Sequence, residues 1–345
     1  MLGVYVDLIT FLIVSSFFVL FISQKKKFFL DIKDKQHKKF ATKIKNHSIG
    51  GVLLLIFFIY FNFFIAKLQN IQILYFGLIF LVGFFSDFKL LDDPKKRFLI
   101  QVILLLTFIY LVDLKIPLTK ITFIDHYLKN FYFNKFFTVF CLMIFINGSN
   151  FIDGLNTLLI GYNLLICLFL VLFFEPVLMN ILIIKCLLLA LLVVLIFNFF
   201  GTIILGDSGS YLLSFFMGIY LINFSNSTNS ISPFFIILLL WYPCFELLFS
   251  MIRRLFFKQK MYEPDTNHLH QILFKSFTKK IKNQNNNHLI VSMLINGYTF
   301  LILYITINMD TYLKVSHILL VILMNLTVYI LCYFFLKKAL RYHQD

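Results

Sequence analysis

Charge is scarce in this sequence, and acid is scarcer than base. Of 345 residues, 14% are charged, and 16 Asp and Glu stand against 31 Lys and Arg. A soluble domain of this length carries about 25% charged residues and keeps a polar face on its helices. Those faces are missing, which excludes a soluble globular protein. Cysteine pairing is lacking too. Cys141, Cys167, Cys186, Cys244 and Cys332 all fall inside apolar stretches, with no CxxC spacing. That excludes a disulfide framework and a thiolate metal site and leaves packing as their role. The first apolar run, Leu2 to Ile22, has no basic stretch ahead of it and no small-residue cleavage site, and it carries Asp7. It is expected to be a retained helix rather than a removable signal peptide. No soluble domain and no internal repeat is evident.

What is present is hydrophobic length. Sixty per cent of the residues are hydrophobic, in runs of about 18 residues or more that match a ~30 Å hydrocarbon core. The expectation is an all-α polytopic integral membrane protein, one transmembrane domain over residues 1–345. About eleven spans are expected, near residues 2–23, 48–66, 71–86, 98–114, 136–149, 155–174, 181–199, 204–223, 232–252, 289–307 and 315–336, with ends good to about 2 to 4 residues. The fifth is the shortest. The net charge of +15 lies between these segments, where it signals topology and contact with anionic lipid or substrate rather than nucleic acid. With the amino terminus outside, the loops 24–47, 87–97, 150–154, 200–203 and 253–288 and the carboxyl tail hold 24 of the 31 Lys and Arg residues. The positive-inside rule makes those loops cytoplasmic.

Every polar cluster with chemical potential falls on that same side: "FFSDFKLLDDPKKRF", "NGSNFIDGLN", "LGDSGS" and "EPDTNHLHQ". Four separated loops converging on one membrane face have the geometry of a site. Asp87, Asp153 and Asp207 are hard oxygen donors suited to Mg²⁺ with substrate phosphates. Gly206, Ser208, Gly209 and Ser210 offer backbone N–H groups and hydroxyls where the eighth span begins, at the positive end of its dipole. Plainer readings stand beside these. Asp87 and Asp153 suit helix caps, and Asp92 and Asp93 before Pro94 suit a turn or cap. Lys95, Lys96 and Arg97 obey the topology rule, with phosphate contact as the lesser reading. Glu246, within a span beside Pro243, suits a paired structural carboxylate. His268 and His270 suit either a surface loop or the binding of phosphate or an acidic group.

The order of these motifs resembles the polyprenyl-phosphate N-acetylhexosamine-1-phosphate transferases, glycosyltransferase family 4 type. That family includes enzymes that initiate enterobacterial common antigen, O-antigen and teichoic-acid linkage synthesis and, more distantly, phospho-N-acetylmuramoyl-pentapeptide transferase. The likeness covers about residues 31–275, leaving additional C-terminal helices over 289–336. "DKQHKKFATKIKNHSIGG" is similar to the family's first cytoplasmic loop, with Asp34, Lys45 and the pair Gly50-Gly51. "GFFSDFKLLDDPKKRFLIQ" is similar to its aspartate loop, "NGSNFIDGLNTLLIG" to its Asn-x-x-Asp-Gly motif, "LGDSGSYLLSF" to its Gly-Asp-x-Gly-Ser motif, and "RRLFFKQKMYEPDTNHLHQILF" to its last cytoplasmic loop. Two positions depart. Ser86 stands where the family has the first of two adjacent acids, and Asn156 stands at an acidic position linked to uracil recognition.

The resemblance implies transfer of an N-acetylhexosamine 1-phosphate, or a 6-deoxy relative, from a UDP-sugar to undecaprenyl phosphate. UMP is released and a surface polysaccharide, such as lipopolysaccharide, begins. It implies Mg²⁺, with Mn²⁺ as substitute, on Asp207. Asp87, Asp153, His268 and His270 take catalytic positions, and Asn150, Asn156, Lys45, Ser208 and Gly209 take substrate-binding positions. Implied partners are the two substrates and membrane lipids, with a homodimer left open, in the bacterial inner membrane. The muramoyl-pentapeptide transferase is the alternative within the enzyme class, although "EPDTNHLHQ" lacks that branch's three adjacent histidines. A lipid-phosphate or nucleotide-sugar transporter and an inactive scaffold are the alternatives outside it.

Overall fold

The structure is a computed structural model that describes residues 2–26, 48–178, 180–228, 230–258, 266–278 and 284–341. Among the described residues every regular element is helical: α1 (Leu2–Lys26), α2 (Gly50–Tyr60, continued by a π-helical turn Phe61–Ile65), α3 (Asn70–Asp87), α4 (Pro94–Val112), α5 (Thr122–Leu128), α6 (Phe131–Ile152), α7 (Leu158–Phe174), α8 (Ile181–Phe199), α9 (Gly206–Ser227), α10 (Pro233–Leu239), α11 (Trp241–Phe256), α12 (Leu269–Thr278), α13 (Gln284–Asn308) and α14 (Val315–Arg341). Seven of these helices are long and apolar enough to cross a membrane, or eight if the bent pair α10–α11 is one span. The protein is therefore a polytopic, all-helical membrane protein. Each of the eleven expected segments is helical, but α4 opens on Lys95, Lys96 and Arg97, and α9 opens on the polar turn Gly206 to Ser210.

The central element is α9, buried along nearly its whole length and packed against α3, α6 and α2. Small residues explain how it fits. A Cβ on Gly51 would lie 2.5 Å from the backbone nitrogen of Gly209, and one on Gly83 would lie 2.5 Å from the Asp207 carbonyl. Only glycine lets α2 and α3 approach α9 this closely, the device by which helices associate where lipid gives no hydrophobic drive. Further along, Phe58 of α2 lies 4.8 Å from Phe76 of α3 and 4.9 Å from Phe216 of α9, centroid to centroid. This aromatic contact fixes all three helices below their polar ends.

The segment expected as one span over 232–252 is broken, with α10 and α11 meeting at 78°. Pro243 has no N–H to give the Leu239 carbonyl four residues earlier. The Tyr162 hydroxyl donates to that carbonyl at 2.8 Å, so the break is satisfied from α7. The fifth expected span, over 136–149, is longer than its apolar core. Its helix starts at Phe131 because Lys135 is buried and donates to Asp113 Oδ1 at 2.6 Å and to the carbonyls of Ile109 and Leu114.

Candidate active site

The ends of α3, α4, α6 and α9 meet at one end of the bundle. Gly206 enters α9 with φ +74°, a left-handed conformation that glycine adopts without strain. Leu205 before it supplies no side-chain cap. The cap comes from another helix. Asp87, the last residue of α3, accepts the backbone N–H of Asp207 on Oδ1 at 2.9 Å, and on Oδ2 the backbone N–H and the hydroxyl of Ser208 at 3.0 and 2.9 Å. An anion therefore sits against the positive end of α9. The capping reading of Asp87 is realised on a partner helix rather than on its own chain neighbours.

Asp207 is fully buried. Its Oδ2 accepts the Ser86 hydroxyl at 2.5 Å and Nη1 of Arg97 at 3.0 Å. The same Arg97 nitrogen also donates to Ser86 Oγ. Arg97 reaches in from the first turn of α4, whose start is set by Asp93. That carboxylate accepts the Lys95 N–H at 2.9 Å ahead of Pro94, as the cap reading of Asp93 expects. Arg97 is thus more than a topology signal, since it neutralises a buried carboxylate. Ser86, the departure from the family pattern, places a donor where a second acid would place a like charge against Asp207.

Asn150 of α6 accepts the Ser210 hydroxyl at 3.2 Å and donates to the Tyr211 hydroxyl at 3.3 Å, so it braces the second turn of α9. Asp153 ends α6 as its C-cap residue. In the turn that follows, Asn156 is held through its backbone. Its N–H donates to His288 Nδ1 at 3.3 Å and its carbonyl accepts the Ser292 hydroxyl at 2.8 Å, both from α13. The Asn156 side-chain nitrogen is buried without a hydrogen-bond partner among the described residues, a donor left for a ligand. Gly209 packs its N–H against Gly51. Lys45, Asp34 and most of the first loop lie outside the described residues, as do Glu263, Pro264 and Asp265 of "EPDTNHLHQ".

His268 and His270 form a second cluster. They are buried rather than at a loop surface, with rings 5.6 Å apart and nearly parallel. His268 Nδ1 pairs with Glu246 at 2.9 Å, and His270 Nδ1 meets the Tyr242 hydroxyl at 3.2 Å. Burial pushes His270 down to about 3, against the opposing pull of Glu246. Phe151, next to Asn150 on α6, lies 4.9 Å from the His268 ring and links the cluster to the head of α9.

The three aspartates expected to share a metal do not form one centre. Among the described residues no group of three or more His, Cys, Asp or Glu side chains is placed to hold a metal ion. The donor set still suits Mg²⁺ of the kind that takes one or two carboxylates and completes its shell with water and substrate phosphates. Asp207 and the neighbouring Asp87 are hard carboxylate oxygens at a helix head where phosphate is favoured.

Residues 69–225 match the family model of glycosyl transferase family 4. No curated protein matches the chain. The matched segment runs from the start of α3 into the last turn of α9. It holds Ser86, Asp87, Arg97, Asn150, Asp153, Asn156, Asp207, Ser208 and Gly209, the residues that meet at the head of α9 and in the turn after α6. The match supports a polyprenyl-phosphate sugar-phosphate transferase of the family 4 type. Glu246, His268, His270 and the helices α10 to α14 lie beyond it. Ser86, Tyr211, Glu246 and Tyr329 are the site residues not singled out for a substrate role from sequence. In sequence Arg97 belongs to a basic run that topology explains first and phosphate contact second.

Proposed function

We propose that this protein transfers an N-acetylhexosamine 1-phosphate, or a 6-deoxy relative, from a UDP-sugar to undecaprenyl phosphate. The observation that carries the proposal is the assembly of Asp87, Arg97, Ser86 and Asp207 around the N-terminus of a buried helix, at one end of an apolar bundle and inside the matched segment. A lipid phosphate and a water-borne nucleotide meet only at such a boundary. A phosphate oxygen of the lipid attacks the sugar-bearing phosphorus of the UDP-sugar, the bridging P–O bond breaks, and UMP leaves with that electron pair. Such an exchange needs positioning and charge neutralisation above all.

Asp207 is the residue proposed to hold Mg²⁺ or Mn²⁺, which when bound neutralises diphosphate charge. Asp87 keeps the first N–H groups of α9 in place. Both of its carboxylate oxygens are already engaged by α9, so its role is orientation, and a lipid phosphate with a second pKa of ~6 needs no base near pH 7. Arg97 supplies a fixed positive charge. Asn156 offers its unpartnered amide nitrogen to the nucleotide, Asp153 supports that turn, and His268, His270 and Lys45 are proposed to contact the phosphates. Ser208 and Gly209 shape the head of α9. The proposed reaction is assigned to the cytoplasmic face of a bacterial inner membrane, with the amino terminus outside, in line with the distribution of Lys and Arg. The test is transfer of radiolabel from UDP-[¹⁴C]N-acetylhexosamines into an organic-extractable lipid by the purified protein with undecaprenyl phosphate. Labelled lipid formed from one sugar supports the reading and names the donor. Label that stays in water with every sugar, from folded protein, contradicts it.

A further inference from the structure

Glu246 lies in α11 with no exposed surface. Its carboxylate accepts three donors from two other elements: His268 Nδ1 at 2.9 Å and the Leu269 N–H at 3.3 Å at the start of α12, and the Tyr329 hydroxyl of α14 at 2.7 Å. Three donors compensate the burial of one carboxylate. The imidazole side is equally constrained. The Phe151 and His270 rings flank His268, and Tyr242 on α11 engages His270. With Nδ1–H committed to Glu246, the remaining ring nitrogen of His268 is Nε2; the carboxylate fixes the orientation of the ring, and the imidazolium form carries a second N–H at Nε2. Phe151 ties this ring to α6, whose Asn150 braces the second turn of α9.

We infer that Glu246 and Tyr329 are positioning residues that lock His268 so that, as an imidazolium paired with the Glu246 carboxylate, its Nε2–H donates to a phosphate oxygen of the nucleotide sugar. The inference rests on the transferase reading and extends it. Part of the phosphate grip is built by helices α11 and α14, outside the segment that matches the family. Glu246 never meets substrate and acts through the histidine, while Tyr329 holds the far carboxylate oxygen so that the first can face the ring.

The test uses the full-length protein in detergent with Glu246→Gln, Tyr329→Phe, His268→Gln and the Glu246→Gln/His268→Gln double variant. Loss of a hydrogen bond to a charged group predicts a KM for the UDP-sugar raised about tenfold in Glu246→Gln and less in Tyr329→Phe, with kcat nearly unchanged. The double variant is expected to resemble His268→Gln alone, because the carboxylate has nothing left to position. Additive effects, or a fall in kcat with KM unchanged, overturn the inference. Should Glu246→Gln not fold, Tyr329→Phe removes a single hydroxyl and carries the same comparison. A second readout needs no turnover: binding of inorganic pyrophosphate by calorimetry, with ¹⁵N-histidine spectra reporting the His268 Nδ1–H signal. Pyrophosphate binding and that signal both weakened in Glu246→Gln, in a protein that transfers no sugar, sink the transferase reading and keep the positioning. Sugar transfer with pyrophosphate binding and KM unchanged in Glu246→Gln does the reverse.

Discussion

Two carboxylates share the head of α9 with different duties. Asp87 is spent on the helix terminus, where it satisfies two backbone N–H groups and a hydroxyl, whereas Asp207 is buried against Arg97 and Ser86. Asp87→Ala is therefore expected to lower stability by about 1–2 kcal/mol, the usual cost of a lost cap. Asp87→Asn should lose less, since an amide oxygen still accepts, and thermal midpoints in detergent decide between them. His270 gives a second expectation at this scale. Its pKa is held at about 3 by burial, below the ordinary ~6.5. The unfolded chain therefore takes up a proton that the folded one refuses. Stability from this residue is present above about pH 6.5 and is lost as pH falls towards 3, by roughly 1.4 kcal/mol per pH unit. Midpoints measured from pH 7.5 to 5 should fall more steeply for the native protein than for His270→Gln. The acids could be picked out in the sequence because a lone Asp between greasy runs demands a reason. Arg97 could not be told from Lys95 and Lys96, because three adjacent cations look alike until helical geometry sends one of them to Asp207.

Helix α9 shows how an element rather than a residue carries the site. Its head is positioned by the backbone approach of α2 and α3, and Gly51 lies where any Cβ would press on the Gly209 nitrogen. Gly51→Val is expected to destabilise the protein by about 1–3 kcal/mol through overpacking and to cost activity by displacing Ser208. Gly77, with open space around its Cβ position, should accept alanine without such a loss, and parallel thermal melts of the two variants check this. Helical segments were legible from apolar runs, and the one over 181–199 was placed to the residue. The start of α6 was not. Asn134 and Lys135 look like loop residues in sequence, yet both are buried, with Lys135 paired to Asp113. The bend between α10 and α11 was hidden for the converse reason. Pro243 breaks the ladder inside an unbroken apolar run, and only the fold supplies the Tyr162 hydroxyl that makes the break tolerable.

Across the whole molecule, the polar ends of α3, α4, α6 and α9 meet at one end of the bundle. If that end is cytoplasmic, Lys129→Cys, in the loop before α6, should react with a membrane-impermeant maleimide on intact cells. Lys258→Cys should react only after the membrane is opened, and the opposite pattern reverses the proposed orientation. The site itself is assembled from more of the chain than the matched segment. His288 and Ser292 of α13 hold the Asn156 turn, and Tyr329 of α14 holds Glu246. The order of motifs was readable because each is local, whereas the contribution of α13 and α14 was not, because single polar residues in apolar helices have no local pattern. The most direct test of the account is UMP release by the purified protein with undecaprenyl phosphate and UDP-N-acetyl sugars, with and without Mg²⁺, alongside Asp207→Ala. The account predicts release that requires both lipid and metal and disappears in Asp207→Ala while that variant remains folded in the membrane. Substantial release by Asp207→Ala, or release that needs neither lipid nor metal, would contradict it.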